Sequence, residues 1–285
     1  MTTDGPAGSV ANLWRHPVKS MLGEELASAR IGERGIAGDR AYALVDSATG
    51  DVASAKNPRK WPTMFQFRAV CLTEPNGAGG HTVAITLPDG STVTSRDADA
   101  NERLSAAVGR AVTLDASPAR PPTLDEYWPD MEGLDHRDTV TNIPIARAAP
   151  GTFFDFSPIH IVTTSTLARL SELYPPGEFS TARFRPNILV ETSGQTGFVE
   201  NDWAGRTLAI GEVRLRVLIP SPRCVMTTLA QGDLPSDPGI LRTIATHNRP
   251  MIPGAGREMP SVGVYAIVVA GGVVEVGDEV AITAP

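Results

Sequence analysis

Four short segments place basic, polar or thiol side chains at the ends of predicted β-strands. They are His-Pro-Val-Lys-Ser at residues 16–20, Gly-Asp-Arg at 38–40, Arg-Phe-Arg-Pro-Asn at 183–187 and Ser-Pro-Arg-Cys at 221–224. Arginines at strand ends can gather around an anion, because the guanidinium fork matches phosphate bidentately. The alternative is that each Arg is a solvated strand terminus, since long charged side chains are usually exposed.

Cys224 is the candidate reactive side chain. Arg223 is its neighbour, and Pro220 and Pro222 stiffen the segment that leads to it. A nearby guanidinium lowers the pKa of a thiol and favours the thiolate, which attacks electrophiles or binds metals. The alternative is that Cys224 only fills space, as buried cysteines often do. Cys71 lies within a predicted strand and is interpreted as a core residue.

Several familiar kinds of site are excluded. The chain has two cysteines, too few for a disulfide framework or a zinc finger, and its five histidines are scattered without metal-ligand spacing. It contains no dinucleotide-binding glycine motif, P-loop, His-Glu-x-x-His or Gly-x-Ser-x-Gly sequence. These patterns argue against a histidine-based metal centre and against a nucleotide-phosphate loop.

Charge and hydropathy limit the partners. The net charge of −7 argues against non-specific nucleic-acid binding and against an anionic membrane surface. The N-terminus lacks a basic leader region, and the longest apolar run (262–274) is shorter than the roughly 18 residues of a membrane span. We therefore expect a soluble, cytoplasmic protein.

The elements that position the four segments are mostly short strands. The 27 Gly and 24 Pro residues indicate many turns. Alternating patterns predict hairpins at 82–94, 207–217 and 274–282. Further strands are predicted at 10–15, 41–46, 65–72, 159–163, 188–191 and 264–269.

Helix signals are few. Asp99 and Glu102 form a candidate capping box, Ser165 is a candidate cap for a helix over 166–174, and Asp237 followed by Pro238 begins a third helix. A Pro-rich, polar stretch separates two β-rich regions. It predicts domains at 9–117 and 151–285, joined by a connecting segment at 118–150.

In this order, the four segments resemble the MOSC family, the domain named after the C-terminal part of molybdenum-cofactor sulfurases. The chain is also similar to the β-barrel domain that precedes it in mitochondrial amidoxime-reducing components and their bacterial relatives. The resemblance runs from about Val10 to Ile282. The expected fold is mainly β with a few short helices: two β-barrel-like domains with the cofactor cleft between them, since domain junctions are common ligand sites.

The resemblance implies a molybdenum cofactor and assigns residues to it. The Cys224 thiolate would bind molybdenum beside the pterin dithiolene and oxo groups, with Arg223 next to it. The residues implied to hold the pterin and its phosphate are Lys19, Ser20, Arg40, Arg185 and Asn187. Thr163, Thr164 and Ser165, between a strand and a helix start, would offer backbone N–H and hydroxyl groups to the cofactor.

Two departures from the family matter. Pro222 stands where relatives often present a small hydroxyl, which removes one hydrogen bond to the cofactor. No cysteine follows Cys224, so we expect no iron–sulfur cluster in this chain and an external electron donor, a flavin and iron–sulfur or haem protein. Pyridoxal phosphate binding, often attached to MOSC proteins, is interpreted as inherited from sulfurase fusions.

Three interpretations follow. The first is a molybdenum-dependent oxidoreductase that reduces a small N-hydroxylated substrate with electrons from external partners. The second is a carrier that holds the cofactor, or relays sulfur on Cys224, without turnover. The third is a two-domain β protein with an unrelated small-molecule site and a core Cys224.

Overall fold

The computed structural model describes residues 5–75, 81–118, 120–130, 137–146, 152–192 and 194–283. Short strands dominate these residues. In chain order the strands are β1 (Gly5–Arg15), β2 (Glu24–Leu26), β3 (Ser28–Gly32), β4 (Gly35–Ile36), β5 (Ala43–Asp46), β6 (Arg68–Cys71), β7 (Val83–Thr86), β8 (Thr92–Thr94), β9 (Val112–Asp115), β10 (Thr123–Trp128), β11 (Thr139–Pro144), β12 (Ile159–Thr163), β13 (Ile188–Glu191), β14 (Thr207–Ile210), β15 (Val213–Pro222), β16 (Met251–Ile252), β17 (Arg257–Glu258), β18 (Ser261–Ala270), β19 (Gly272–Glu275) and β20 (Glu279–Thr283).

The helices of the described residues are short. They are α1 (Ala100–Val108), α2 (Thr164–Leu173), α3 (Thr181–Phe184) and α4 (Pro238–His247), with 3₁₀ turns at Met64–Gln66, Val199–Trp203 and Val225–Thr228. The prediction of a mainly β fold with a few short helices is confirmed.

Seven strands close into a barrel. Their order is β13-β12-β18-β15-β14-β20-β1, and β1 pairs back to β13 to close the ring. Inward-facing residues alternate along the strands, as Val213, Leu215 and Val217 of β15 show, and fill the interior. The predicted barrel-like architecture is thus present.

The first half of the chain builds smaller sheets around a second core. β5 pairs with β9, and β6, β7 and β8 form a three-stranded sheet. Buried Leu44, Phe67, Ile85 and Leu104 join these sheets to α1. The halves also interleave, because β1 belongs to the barrel and β3 pairs with β19 from near the C-terminus. The limits 9–117 and 151–285 stay a prediction.

One predicted hairpin is wrong. The turn after β19 forms, with the Asp278 N–H donating to the Glu275 carbonyl at 3.2 Å. However, β19 pairs with β3, while β20 pairs with β14 and β1. The strands on either side of the turn therefore enter different sheets, which the local pattern cannot specify.

The helix caps differ in part from the predictions. Asp237 caps α4 as predicted, accepting the Gly239 N–H at 2.8 Å. Asp99 precedes α1 but makes no side-chain capping bond. The cap of α2 is Thr163 rather than Ser165, because its hydroxyl accepts the Thr166 N–H at 3.3 Å.

The predicted connecting segment contains an antiparallel hairpin of β10 and β11. Residues 119, 131–136 and 147–150 of that segment lie outside the described residues. The hairpin packs on the first half: the Val52 N–H donates to the Thr123 carbonyl at 2.8 Å and the Tyr127 N–H to the Lys56 carbonyl at 2.9 Å. The connecting segment thereby contributes side chains next to Lys56.

Candidate functional site

A polar cleft lies where the two halves of the chain meet. Residues of the first half, such as Lys19 and Arg40, face residues of the second half, such as Arg185 and Cys224. Seven of the ten predicted site residues line it: Lys19, Ser20, Arg40, Arg185, Asn187, Arg223 and Cys224. The cleft therefore joins all four sequence segments.

Lys19 is held by the chain that follows the connecting segment. Its Nζ donates to the Phe153 carbonyl at 2.8 Å and to Asp155 Oδ1 at 2.6 Å. Burial lowers the pKa of the ammonium, and Asp155 opposes that shift. Beside it, the Ser20 hydroxyl accepts the Ala55 N–H at 3.2 Å. The segment at 16–20 is thus fixed to both halves.

Asp39 connects the second and third segments. Its carboxylate accepts the His16 N–H at 2.7 Å and the Asn187 amide at 2.8 Å, and it pairs with Arg40. Arg40 Nη2 in turn donates to the Arg185 carbonyl at 3.1 Å. One buried carboxylate therefore orients the predicted Arg40 and Asn187 across the junction.

Arg185 carries an unpaired guanidinium nitrogen. It ends α3 in a left-handed conformation, with φ of 55°, and its guanidinium lies 5.4 Å from the Phe65 ring centroid. Among the described residues, its buried Nη1 has no hydrogen-bond partner. Burial and nearby Arg40 lower the pKa of Arg185 to about 9, which leaves it cationic at neutral pH.

Backbone strain is concentrated at this cleft. Five non-glycine residues of the described chain have positive φ, and Ser20, Arg40 and Arg185 are three of them. Such conformations persist only where the surroundings impose them, and they cluster at functional sites. The strain independently marks the same three residues that the sequence motifs single out.

Arg223 and Cys224 follow the long strand β15. Arg223 donates from Nη1 to the Ser221 hydroxyl at 2.9 Å and from Nη2 to the Phe184 carbonyl at 3.0 Å. Its buried Nε has no partner among the described residues. The arginine is therefore held in place with one N–H left free for a ligand.

Cys224 is half-buried and free. Burial raises the pKa of its thiol, while the Lys56 ammonium opposes that shift more than Arg223 does. Arg223 thus acts in the expected direction, toward the thiolate, but burial outweighs it and the pKa of the thiol is raised. Cys71 packs against the second core and lies outside the cleft, and burial raises the pKa of its thiol to about 12.

Several cleft residues were not predicted. The Lys56 side chain is 13% exposed and pairs with Glu126 of β10 at 3.2 Å and with Asp155 at 3.9 Å. His160 also lines the cleft, and burial beside Arg223 lowers its pKa, so its imidazole is neutral at pH 7. No local motif surrounds Lys56 or Asp155. Only the ion pairs that they form with residues distant in sequence identify Lys56 and Asp155 as part of the cleft.

Arg183 has a different role from its neighbours in the third segment. It is 1% exposed and donates to four carbonyls, those of Glu178, Thr227, Leu229 and Pro235, at 2.8–3.3 Å. The Thr227 hydroxyl donates to the Cys224 carbonyl at 3.1 Å. Arg183 therefore fixes the loop that carries Cys224.

The structure does not bring Thr163, Thr164 and Ser165 to the cleft. The Thr163 hydroxyl donates to Glu200 at 2.6 Å and lies 3.0 Å from the Ser165 hydroxyl, while the Thr164 hydroxyl lies 3.4 Å from that of Thr192. They stand at the far end of β12 from His160, about 10 Å along the strand at its usual rise. Their role toward a cofactor stays a prediction.

The chemistry of the cleft fits an extended, polyanionic ligand that binds a soft metal. Among the described residues, its lining holds six cations and one carboxylate, Asp155. The cations are Lys19, Arg40, Lys56, Arg183, Arg185 and Arg223. The cleft itself encloses about 60 Å³, roughly the volume of two waters. Cavities of about 420 and 390 Å³ adjoin it through Arg40 and Arg185, so a pterin would extend beyond it.

Comparison with known proteins finds two matched domains. Residues 7–118 match the MOSC N-terminal beta barrel domain and residues 149–281 match the MOSC domain. Both matched ranges contribute residues to the cleft. In the described residues, no helix has the length and apolar character needed to cross a bilayer.

Individual relatives are distant. Mitochondrial amidoxime reducing component 2 of Rattus norvegicus is 24% identical over 294 residues, which cover 96% of this chain and 82% of that protein. The protein of the same name from Macaca fascicularis is 27% identical, with 78% and 67% covered. Among solved structures, the YUAD protein of Bacillus subtilis aligns with 100% of this chain and 97% of that chain, at a TM-score of 0.45 and 12% identity.

Proposed function

The chain belongs to the MOSC family, a family of molybdenum-cofactor-binding proteins, and from this we propose that its cleft binds the molybdenum cofactor for the reduction of N-hydroxylated compounds. One observation carries the proposal. A free thiol, Cys224, lies in a cleft with six cations, in a chain whose net charge is −7. A cluster of positive side chains in a chain of net negative charge favours a polyanionic ligand.

Each cleft residue receives a role. Lys19, Arg40 and Arg185 hold the pterin phosphate, since charged N–H donors bind phosphate oxygens strongly. Asn187, whose amide donates to Asp39, is assigned to the pterin beside them. The unpaired Nη1 of Arg185 supplies a donor that no described residue uses. Cys224 binds the metal as a thiolate, because soft thiolate ligands suit molybdenum.

When bound, the cofactor would supply two-electron redox chemistry. Cys224 would hold the metal as a thiolate and would have to lose its thiol proton to do so, since metal ligands must be deprotonated. Lys56 stays close enough to favour the resulting negative charge. Because the His160 imidazole is neutral, it adds no further positive charge beside Arg223.

The substrate class comes from the relatives, whose name is amidoxime reducing component. Reduction of an amidoxime consumes two electrons and two protons, breaks the N–O bond, and yields an amidine and water. The electrons come from an external donor, a flavin and iron–sulfur or haem protein.

Cofactor binding is tested without turnover. The protein is purified from molybdenum-replete cells, and its molybdenum and pterin contents are measured by mass spectrometry and by pterin fluorescence. We expect Arg185→Met to lose most of the pterin and Arg169→Met, at an exposed position of α2, to keep it. Equal pterin content in both variants would remove Arg185 from the site.

Turnover is tested separately. Protein of known molybdenum occupancy is incubated with benzamidoxime and a chemical reductant, and benzamidine is quantified. Formation of benzamidine in proportion to occupancy supports the reductase. No benzamidine at full occupancy refutes it and favours a cofactor carrier.

A further inference from the structure

A second cavity lies at the junction of the two halves, apart from the cleft. This junction groove has a volume of about 550 Å³ and shares no lining residue with the cleft. Its walls come from residues 55–66 of the first half and 229–233 of the second, with Leu22 between them. Its volume falls within the range typical of small-molecule sites.

The walls of the junction groove are largely apolar. Trp61, Met64 and Phe65 line it from the second core, and Pro62 and Leu229 line it nearer the surface. Flat aromatic walls favour a flat ligand, because stacking requires parallel or edge-on rings. The groove therefore suits a small planar molecule.

Its charge contrasts with that of the cleft. The described residues that line the groove include no Lys, Arg or His, and Asp233 is their one acid. The lining itself therefore offers an anion one negative side chain and no positive one, although Lys60 and Arg185 lie 5.6 and 5.4 Å from the ring centroids of Trp61 and Phe65. This lining suits an uncharged ligand better than the phosphate-bearing ligands that the cleft favours.

Gln231 adds a specific polar feature. Gln231 is one of the lining residues and is 3% exposed, and its buried Nε2 and Oε1 both lack a hydrogen-bond partner in the described part of the chain. Burial of such an amide is unfavourable, so few native side chains keep both atoms unpaired. The Gln231 amide therefore offers one donor group and one acceptor that no described residue engages.

The backbone fixes where this amide sits. The Gln231 N–H donates to the Leu234 carbonyl at 3.1 Å, and the Leu234 N–H returns a bond at 3.0 Å. The turn between them contains exposed Gly232, with φ of 56°, and exposed Asp233. Because both amide atoms are buried, pairing with a ligand in the groove requires a shift of this exposed turn.

We propose that the junction groove is a binding site for a small, planar, uncharged molecule with adjacent donor and acceptor groups, such as a carboxamide, which pairs with the Gln231 amide. A glutamine amide offers one N–H and one carbonyl in a plane, which match a carboxamide edge in two hydrogen bonds. The proposal does not depend on the proposed function, because neither molybdenum nor any cleft residue takes part.

The test uses benzamide as the probe and ¹⁵N-labelled full-length protein. The Gln231 side-chain NH₂ resonances are assigned by their loss in Gln231→Leu. We expect benzamide to shift these resonances, while benzoate, which offers two acceptors and a negative charge, does not. Gln231→Leu should weaken benzamide binding about ten-fold or more, the effect expected for loss of two hydrogen bonds.

Thermal unfolding supplies a second, independent readout. Because Gln231→Leu removes an unpaired buried amide and keeps a similar volume, its melting temperature should equal or exceed that of the wild type. Gln66→Leu, at the exposed rim of the same groove, is the matched control and should retain benzamide binding.

Three results would overturn the proposal. They are unchanged Gln231 NH₂ resonances up to the solubility limit of benzamide, equal shifts with benzoate, and a clear fall in melting temperature in Gln231→Leu, which would show that the fold uses the amide. If Gln231→Leu folds poorly, the Gln231 NH₂ resonances are assigned in the wild type by triple-resonance experiments, and the wild-type titrations with benzamide and benzoate still test the proposal.

Discussion

Replacing Cys224 with Ala separates a metal ligand from a core residue. Cys224 is half-buried and packs at the edge of the second core. Its sulfur is about as large as one methylene group, and full burial of a methylene contributes about 0.8 kcal/mol. The substitution should therefore cost about 1 kcal/mol or less, a fall of roughly 2–4 °C in melting temperature for a chain of this size.

The effect on the metal should be far larger than the effect on stability. The cations of the cleft are unchanged in Cys224→Ala, so the pterin phosphate keeps its partners. In the proposed site Cys224 is the protein ligand of the metal, and the substitution removes it. We expect molybdenum content to fall to background, the visible absorption of the cofactor to change, and pterin content to stay close to that of the wild type.

Cys71→Ala is the matched control. Cys71 packs against the same core but lies outside the cleft, with its Sγ in tight packing against Gly38. It should lose a similar amount of stability and keep its molybdenum. The reasoning fails if Cys224→Ala retains wild-type molybdenum content and absorption, or if the two variants behave alike in metal content.

Three further substitutions test individual contacts. Burial would raise the pKa of the Asp155 carboxyl, but Lys19 holds that pKa well below its usual range. The carboxylate therefore stabilises the fold above about pH 4, and this stabilisation is lost as the pH falls. In urea unfolding, Asp155→Asn should be less stable than the wild type at pH 7, and the difference in free energy of unfolding should narrow toward pH 3. Arg183→Lys cannot reach all four carbonyls and should cost about 2 kcal/mol or more in the same assay, with Arg169→Lys unchanged. Thr163→Val should cost about 2 kcal/mol through the lost helix cap and should keep its pterin, whereas loss of pterin at unchanged stability would support the predicted role of Thr163 toward the cofactor.

Much of the fold was predictable because its strands are specified locally. The apolar runs at 159–163 and 188–191 correspond to β12 and β13 without a shift, and the hairpin of β14 and β15 follows its alternating pattern. The pairing of β19 with β3 was not predictable, because more than 200 residues of sequence separate them and neither strand encodes its partner.

The site was predictable where chemistry is concentrated in short motifs. Lys19, Arg40, Arg185 and Cys224 each stand in such a motif, and the cleft unites them. Lys56 and Asp155 stand in ordinary sequence and acquire their role only from an ion pair that crosses the junction. A hydroxyl at a strand end can serve either a ligand or a helix cap, and the sequence did not show that Thr163 caps α2.

The cleft also contains several features that lower the stability of the fold. Ser20, Arg40 and Arg185 hold left-handed backbone conformations that cost of order 1–3 kcal/mol each. Arg185 and Arg223 each bury a nitrogen with no partner in the described chain. Strain, unpaired donors and excess positive charge coincide at one place. A ligand that supplies negative charge and hydrogen-bond acceptors would relieve the last two, so binding at this cleft and stability of the junction are linked.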